Sequence, residues 1–164
     1  MMEQNSNLKE TFSFTDFLAW SLLALIPVLT AVYAISRTSI AWTVIYLIVM
    51  AACFAGIMYR FFCTHCPHYK NSGRTTKCIF LWGVPAYFEP RPGPLGFFDK
   101  FMVFLGLVIA VAFPVYWLLA GPLLLLLIYA ISWVVLSAFL YKYECIRCIH
   151  HDCPMNRVPQ QPES

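Results

Sequence analysis

The sequence predicts an all-α integral membrane protein: four transmembrane helices that form two repeated helical hairpins, each followed by a cytoplasmic, metal-binding Cys/His motif. Two observations lead to this fold class, namely long stretches without charge and a cysteine–histidine pattern that occurs twice. Of the 164 residues, 60% are hydrophobic and only 12% are charged. Soluble domains carry about 25% charged residues, so an ordinary soluble domain is excluded.

The four helices follow from the uncharged stretches. A bilayer core of about 30 Å requires about 20 helical residues. Three stretches are long enough, and Gly121-Pro122 divides the last of them into two. The first is too long for a secretory signal and lacks a basic segment before it. The predicted helices therefore cover residues 16–36, 39–61, 100–120 and 122–142.

The basic residues predict the orientation. Four spans place both termini and the 62–99 segment on one side, together with every Lys and Arg except Arg37. Short basic segments stay in the cytoplasm. We therefore expect a protein of the cytoplasmic membrane of a prokaryote, with both termini and both motifs in the cytoplasm. Basic residues beside a bilayer contact anionic lipid, so the positive charge requires no nucleic acid partner.

The internal repeat is visible in two aligned segments. YRFFCTHCPH at 59–68 and YKYECIRCIH at 141–150 share the pattern Y-[KR]-[FY]-x-C-x-x-C-x-H without a gap. Each follows a pair of predicted helices, so both copies have the same topology, as in parallel repeats of membrane proteins. The predicted units are residues 1–99, with the first motif and the loop after it, and residues 100–164, with the second motif and a polar tail.

The Cys/His motifs predict metal binding. The cytoplasm keeps thiols reduced, which disfavours disulfides, and soft thiolates select zinc or iron–sulfur clusters. Each motif, together with the next cysteine downstream, offers three cysteines and one histidine at the aligned position, a set typical of structural zinc. Alternatively, the two C-x-x-C turns form one shared site of four thiolates; we favour two separate sites. The predicted ligands are Cys63, Cys66, His68 and Cys78 in the first motif, and Cys145, Cys148, His150 and Cys153 in the second.

The cofactor is predicted to be an iron–sulfur cluster in each motif, with two zinc ions as the alternative. Covalent haem requires C-x-x-C-H, but Pro67 and Ile149 follow the second cysteines. All four histidines lie in the motifs and none in a span, so haem within the bundle is not expected either.

Several residues in or near the motifs and spans are not predicted to bind metal. Tyr59 and Tyr141 are expected in the aromatic belt at the membrane interface. His65 and Glu144 are expected to be solvated or to support the ligands, and Cys53 is expected to be a small packing residue within the second span.

The loop at residues 79–98 has four prolines and six aromatic residues but few charges. Its prolines and glycines are too frequent for a spanning helix, and its aromatic residues favour the interface. We expect it to lie along the cytoplasmic membrane surface and to close over the motifs. The loop serves either as a simple membrane anchor or in a functional role, as a lid, a partner surface or a ligand-binding slot. Trp82, Tyr87 and Phe88 are the candidate residues of that slot.

The predicted function is electron transfer. Apart from Asp16, Arg60, Lys100 and Lys142 at their ends, the four spans contain no Asp, Glu, Lys, Arg or His, which argues against a pump, a proton-coupled transporter or a channel for charged substrates. Iron–sulfur clusters would pass electrons between a cytoplasmic redox partner and a quinone or neighbouring membrane subunit. A zinc-stapled scaffold subunit is the alternative, and a thiol or soft-metal handling protein is the third. The sequence identifies no catalytic residue, and we expect other subunits of a membrane complex as partners.

Overall fold

The computed structural model describes residues 9, 12–66, 69, 75–91 and 93–148. Within them the chain is mostly helical and has four helices long and apolar enough to cross a membrane. The prediction of four helices of spanning length and apolarity is therefore confirmed, with bounds that differ by a few residues. The spans are Phe14–Ser36, Ile40–His65, Phe97–Ala120 and Leu123–Glu144.

The first helix, α1 (Phe14–Ser36), begins with a capping box. The Asp16 amide donates to the Ser13 hydroxyl at 3.3 Å, and the Ser13 amide donates to the Asp16 carboxylate at 2.9 Å. These two bonds satisfy backbone donors that a helix start leaves open. The helix continues through Pro27 and, at about 1.5 Å per residue, is long enough to cross a bilayer.

The second and fourth spans both end in π-helical segments. Helix α2 (Ile40–Ala51) continues as π-helix over Ala52–Phe62 and then as a short 3₁₀ turn, Cys63–His65. The last span begins as an α-helix at Leu123 and is π-helical over Leu140–Glu144. Such segments are rare and occur frequently at functional sites. Here each one leads directly into a C-x-x-C sequence.

The third span is broken near its end. Helix α3 (Phe97–Ala112) is followed by α4 (Val115–Ala120), with Pro114 between them. Proline has no amide hydrogen and its ring clashes with the preceding turn, which ends the helix. The Tyr129 hydroxyl donates to the Val111 carbonyl at 2.9 Å and so pairs a carbonyl close to the break.

The helices pack in pairs. Helix α1 lies mainly against α5 (Leu123–Phe139), and α3 lies mainly against the first π-helical segment. A central core gathers Ile35, Tyr46 and Leu118, which are all fully buried. Many apolar side chains face outward, as expected where lipid surrounds the bundle. Examples on the four spans are Leu29, Ile48, Phe104 and Val134.

Gly106 permits the close approach of α3 and the first π-helical segment. A β-carbon at this position would lie 3.1 Å from Cγ2 of Ile57. Small residues allow membrane helices to approach closely. We expect Gly106→Leu to separate the two helices and to destabilise the protein by about 1–3 kcal/mol, as overpacking does. Thermal unfolding in detergent measures this, with Gly56→Leu as the control, because open space surrounds Gly56.

The loop before α3 contains a small β-hairpin. Strand β1 (Thr75–Lys77) pairs antiparallel with β2 (Trp82–Pro85), with Thr75 opposite Pro85 and Lys77 opposite Trp82. The Thr76 hydroxyl is fully buried and lies 2.9 Å from the Leu81 carbonyl and 3.0 Å from the Val84 carbonyl. As predicted, the described residues between 79 and 96 contribute no spanning helix, whereas Phe97 and Phe98, placed in the loop by the prediction, begin the third span. The repeat of the two halves stays a prediction.

Candidate metal site beneath the hairpin

Two cysteines of the first motif lie in direct contact. Cys63 follows the first π-helical segment, and Cys78 lies at the turn of the β-hairpin. The two thiols are hydrogen-bonded, and Cys66 is close enough to interact with Cys63 electrostatically. Cys63 is 1% exposed and Cys78 is 3% exposed. The fold thus brings two predicted ligands, Cys63 and Cys78, into contact although the sequence separates them by 15 positions, and Cys66 lies nearby.

The thiols have not converged into a complete ligand set. Within the described part of the chain, no three His, Cys, Asp or Glu side chains are close enough together to hold a metal ion. The six described cysteines are all thiols rather than disulfides. His68, the predicted fourth ligand, lies outside the described residues. Convergence of all four predicted ligands of the first motif therefore stays a prediction.

Two tyrosines fasten the segment after the hairpin over this site. The Tyr59 hydroxyl donates to the Pro85 carbonyl and accepts from the Tyr87 amide at 3.1 Å. The Tyr69 hydroxyl donates to the Phe88 carbonyl and accepts from the Phe88 amide at 3.0 Å. We call this pair, Tyr59 and Tyr69, the tyrosine latch. Each hydroxyl satisfies one backbone donor and one backbone acceptor of the covering segment.

The latch corrects one expectation. Tyr59 is 4% exposed and packs against Cys63 and Tyr69, so it is not a member of an interfacial aromatic belt. Tyr141, its counterpart in the repeat, is 41% exposed. Tyr69 was not predicted, although it follows the first motif directly. Its role depends on a partner segment 19 residues away, which local sequence does not identify.

The three residues predicted to form a ligand slot have different surroundings. Trp82 lies edge-on to Phe14, with ring centroids 6.2 Å apart. Tyr87 is 77% exposed. Phe88 packs between Tyr59, at 5.2 Å, and the guanidinium of Arg60, at 4.8 Å. The covering segment thus uses Phe88 to hold itself in place, and the slot stays a prediction.

His65 connects the first motif to the start of α3. Its side chain is 7% exposed, with Nε2 3.5 Å from the Asp99 carboxylate and Nδ1 3.3 Å from the Gly93 carbonyl. Asp99 also lies 3.6 Å from the Arg91 guanidinium. Of the two alternatives expected for His65, the solvated one is therefore wrong. It ties the C-x-x-C turn to the next span.

The second motif contacts the N-terminal segment. Cys145 and Cys148 are both half-buried. The Lys9 amide donates to the Arg147 carbonyl at 2.7 Å, and Lys9 forms a parallel β-bridge with Cys148. The remaining predicted ligands, His150 and Cys153, lie outside the described residues. Whether all four ligands converge therefore stays a prediction.

Lys9 also neutralises a buried acid. Its ammonium lies 3.3 Å from the Glu144 carboxylate and 2.9 Å from the Asp16 carboxylate. The Glu144 side chain is only 8% exposed, so the expectation of a solvated group is wrong. A buried charge requires a partner, and this partner is 135 positions away in the chain.

We expect Lys9→Ala to destabilise the protein by about 1–3 kcal/mol, because Glu144 would be left buried without its cation. The double variant Lys9→Ala with Glu144→Gln should recover part of this loss, because the uncompensated charge is gone. Thermal unfolding of both variants measures the coupling. Equal stability of the single and double variants would contradict a paired, buried Glu144.

Comparisons with protein-family models, with curated proteins and with solved structures found no match.

Proposed function

We propose that the protein is an integral membrane subunit in which a zinc ion joins the membrane bundle to the β-hairpin above it. Cys63, Cys66 and Cys78 are the proposed thiolate ligands, and His68 is the proposed fourth. The observation that carries the proposal is the buried Cys63–Cys78 contact, which links the end of a spanning helix to the turn of the hairpin.

The chemistry of this ligand set suits a structural metal. Zinc prefers four tetrahedral ligands from cysteine and histidine, and its structural sites are closed to solvent. Cys63 is covered by the segment that the tyrosine latch holds, and Leu81, Val84 and Phe88 pack against the cluster that contains it. Metal binding contributes directly to folding where the ligands come from separate segments. A two-stranded hairpin is marginally stable by itself, so it needs such support.

Burial of Cys63 and Cys78 favours a structural zinc ion over the electron-transfer role that the sequence favoured. The second motif is proposed to hold a similar ion through Cys145, Cys148, His150 and Cys153. As part of a larger complex, the protein would act as a scaffold or assembly subunit. Its apolar side chains that face outward can contact lipid and neighbouring membrane subunits.

Electron transfer through iron–sulfur clusters is the second candidate, and one observation favours it. Cys78 packs in a cluster with Trp20, whose ring lies 5.0 Å from Phe80. Phe80 in turn lies 6.0 Å from Phe62, beside Cys63. On the side of the helix bundle, Cys63 and Cys78 therefore adjoin a series of aromatic rings, which is the path that electron transfer from a cluster would use. In this role the protein would connect a cytoplasmic redox partner with a quinone or a neighbouring subunit.

Thiol labelling tests the metal staple. The purified protein is treated with a maleimide, with and without a zinc chelator, and labelled peptides are identified by mass spectrometry. Labelling of Cys63, Cys66 and Cys78 should require the chelator, because metal-bound thiolates do not react. The Cys78→Ala variant serves as the control, since loss of one ligand should expose the other two without chelator. Labelling that the chelator does not change would contradict the proposal.

A further inference from the structure

A pocket lies at the end of the bundle opposite the Cys/His motifs. The turn between α1 and α2 and the turn between α4 and α5 line a partly open pocket of about 370 Å³. Ala34, Trp117, Pro122 and Leu125 provide apolar walls, and Arg37 and Thr38 provide polar groups. The metal proposal does not use any of these residues.

Arg37 is the unusual member of this lining. The chain contains no Asp or Glu between positions 17 and 88 or between 100 and 143, so neither turn carries an acid. Arg37 is exposed, and among the described residues no carboxylate lies within ion-pairing distance of its guanidinium. A guanidinium offers several donors in a planar arrangement that fits phosphate or carboxylate groups. The pocket therefore combines a cation with apolar walls.

We propose that this pocket binds an anionic amphiphile. Its phosphate or carboxylate group would contact Arg37 and Thr38, and its apolar part would lie along Trp117 and Leu125. The position suits such a molecule, because the pocket lies at the ends of the spanning helices, where head groups are found and tryptophan is enriched. The anion comes either from a membrane phospholipid or from a soluble anionic compound, and the test separates these sources.

Native mass spectrometry of the full chain is the experiment. The protein is released from detergent containing either phosphatidylglycerol, which is anionic, or phosphatidylcholine, which is zwitterionic. Retained phospholipid is counted at several concentrations. We expect phosphatidylglycerol to be retained preferentially, and Arg37→Gln to weaken its binding by about tenfold or more, as loss of a hydrogen bond to a charged group does. Arg37→Lys should keep part of the preference.

Two further variants secure the interpretation. Lys100→Gln removes an exposed cation at the other end of α3 and should leave lipid retention unchanged. Ala120→Phe keeps Arg37 but fills the pocket, and it should also reduce retention. Helical circular dichroism confirms that each variant is folded.

The outcomes distinguish the sources of the anion. If inorganic phosphate alone protects the protein thermally, and Arg37→Gln abolishes that protection, the pocket binds a soluble anion through the same chemistry. Retention of phosphatidylglycerol without an effect of phosphate identifies the lipid. Equal retention of both lipids, with no effect of Arg37→Gln or Ala120→Phe and no phosphate effect, would overturn the proposal. None of these outcomes bears on the zinc staple, because they concern the opposite end of the bundle.

Discussion

Replacement of Cys63 by alanine is expected to abolish metal retention at the first motif and to lower the midpoint of thermal unfolding by about 5–10 °C, equivalent to about 2–3 kcal/mol for a chain of this size. The reason is that Cys63 is the buried ligand at the helix end, and its thiol contacts Cys78 at the hairpin turn. Without it the metal no longer joins the two segments. Metal analysis and differential scanning fluorimetry measure the two effects.

Cys53→Ala is the matched control for this prediction. Cys53 is also a buried cysteine, 5% exposed, but it packs within the membrane core away from both motifs. Its replacement should cost only the packing of one small side chain, about 1 kcal/mol, and should leave the metal content unchanged. Equal metal content in the Cys63 and Cys53 variants would show that the thiols beneath the hairpin are not ligands.

Removal of the tyrosine latch is expected to release the segment that covers the site. Tyr59→Phe leaves the Pro85 carbonyl and the Tyr87 amide without their side-chain partner, and Tyr69→Phe does the same at Phe88. Each substitution should cost about 1 kcal/mol, because part-buried backbone groups lose their hydrogen bonds. Amide hydrogen exchange at Tyr87 and Phe88 should become about tenfold faster or more, since local opening becomes easier.

The two latch substitutions should not be additive. The hydroxyls of Tyr59 and Tyr69 lie 3.4 Å apart, and residues that share one network are energetically coupled. The free energy of unfolding lost in the double variant should therefore differ from the sum of the losses in the two single variants. Tyr116→Phe provides the control, because Tyr116 is 73% exposed and should give a change near zero. Unchanged exchange at Tyr87 in Tyr59→Phe would contradict the latch.

The spans were predictable because they depend on a local property. Runs such as residues 17–36 contain no charge and are long enough for a bilayer, whatever the rest of the chain does. The π-helical ends were not predictable, since the apolar pattern of Ala52–Phe62 does not distinguish a wider helix from an α-helix. Likewise, a strand as short as the three-residue β1 has too few residues for an alternation of apolar and polar side chains to be detected.

Long-range partners explain the remaining differences. The sequence indicated a solvated Glu144 and an interfacial Tyr59, because local context alone assigns exposed positions to such residues near a membrane end. Glu144 is buried because Lys9 lies beside it, and Tyr59 is buried because the segment after β2 folds over it. The proposed ligands Cys63, Cys66 and Cys78 were identifiable from their spacing, but the contact between Cys63 and Cys78 requires the hairpin.

The central claim is that the cysteines hold a structural metal, and the metal content of the protein tests it most directly. The full chain is purified without oxygen and without added metal, then analysed for zinc, iron and acid-labile sulfide, and its visible spectrum is recorded. We expect about one to two zinc ions per chain and no visible absorption, since zinc is colourless and each motif offers one site. Iron together with sulfide and visible absorption would contradict the structural zinc and support the electron-transfer candidate. Protein free of metal, with all of its cysteines reactive, would contradict both.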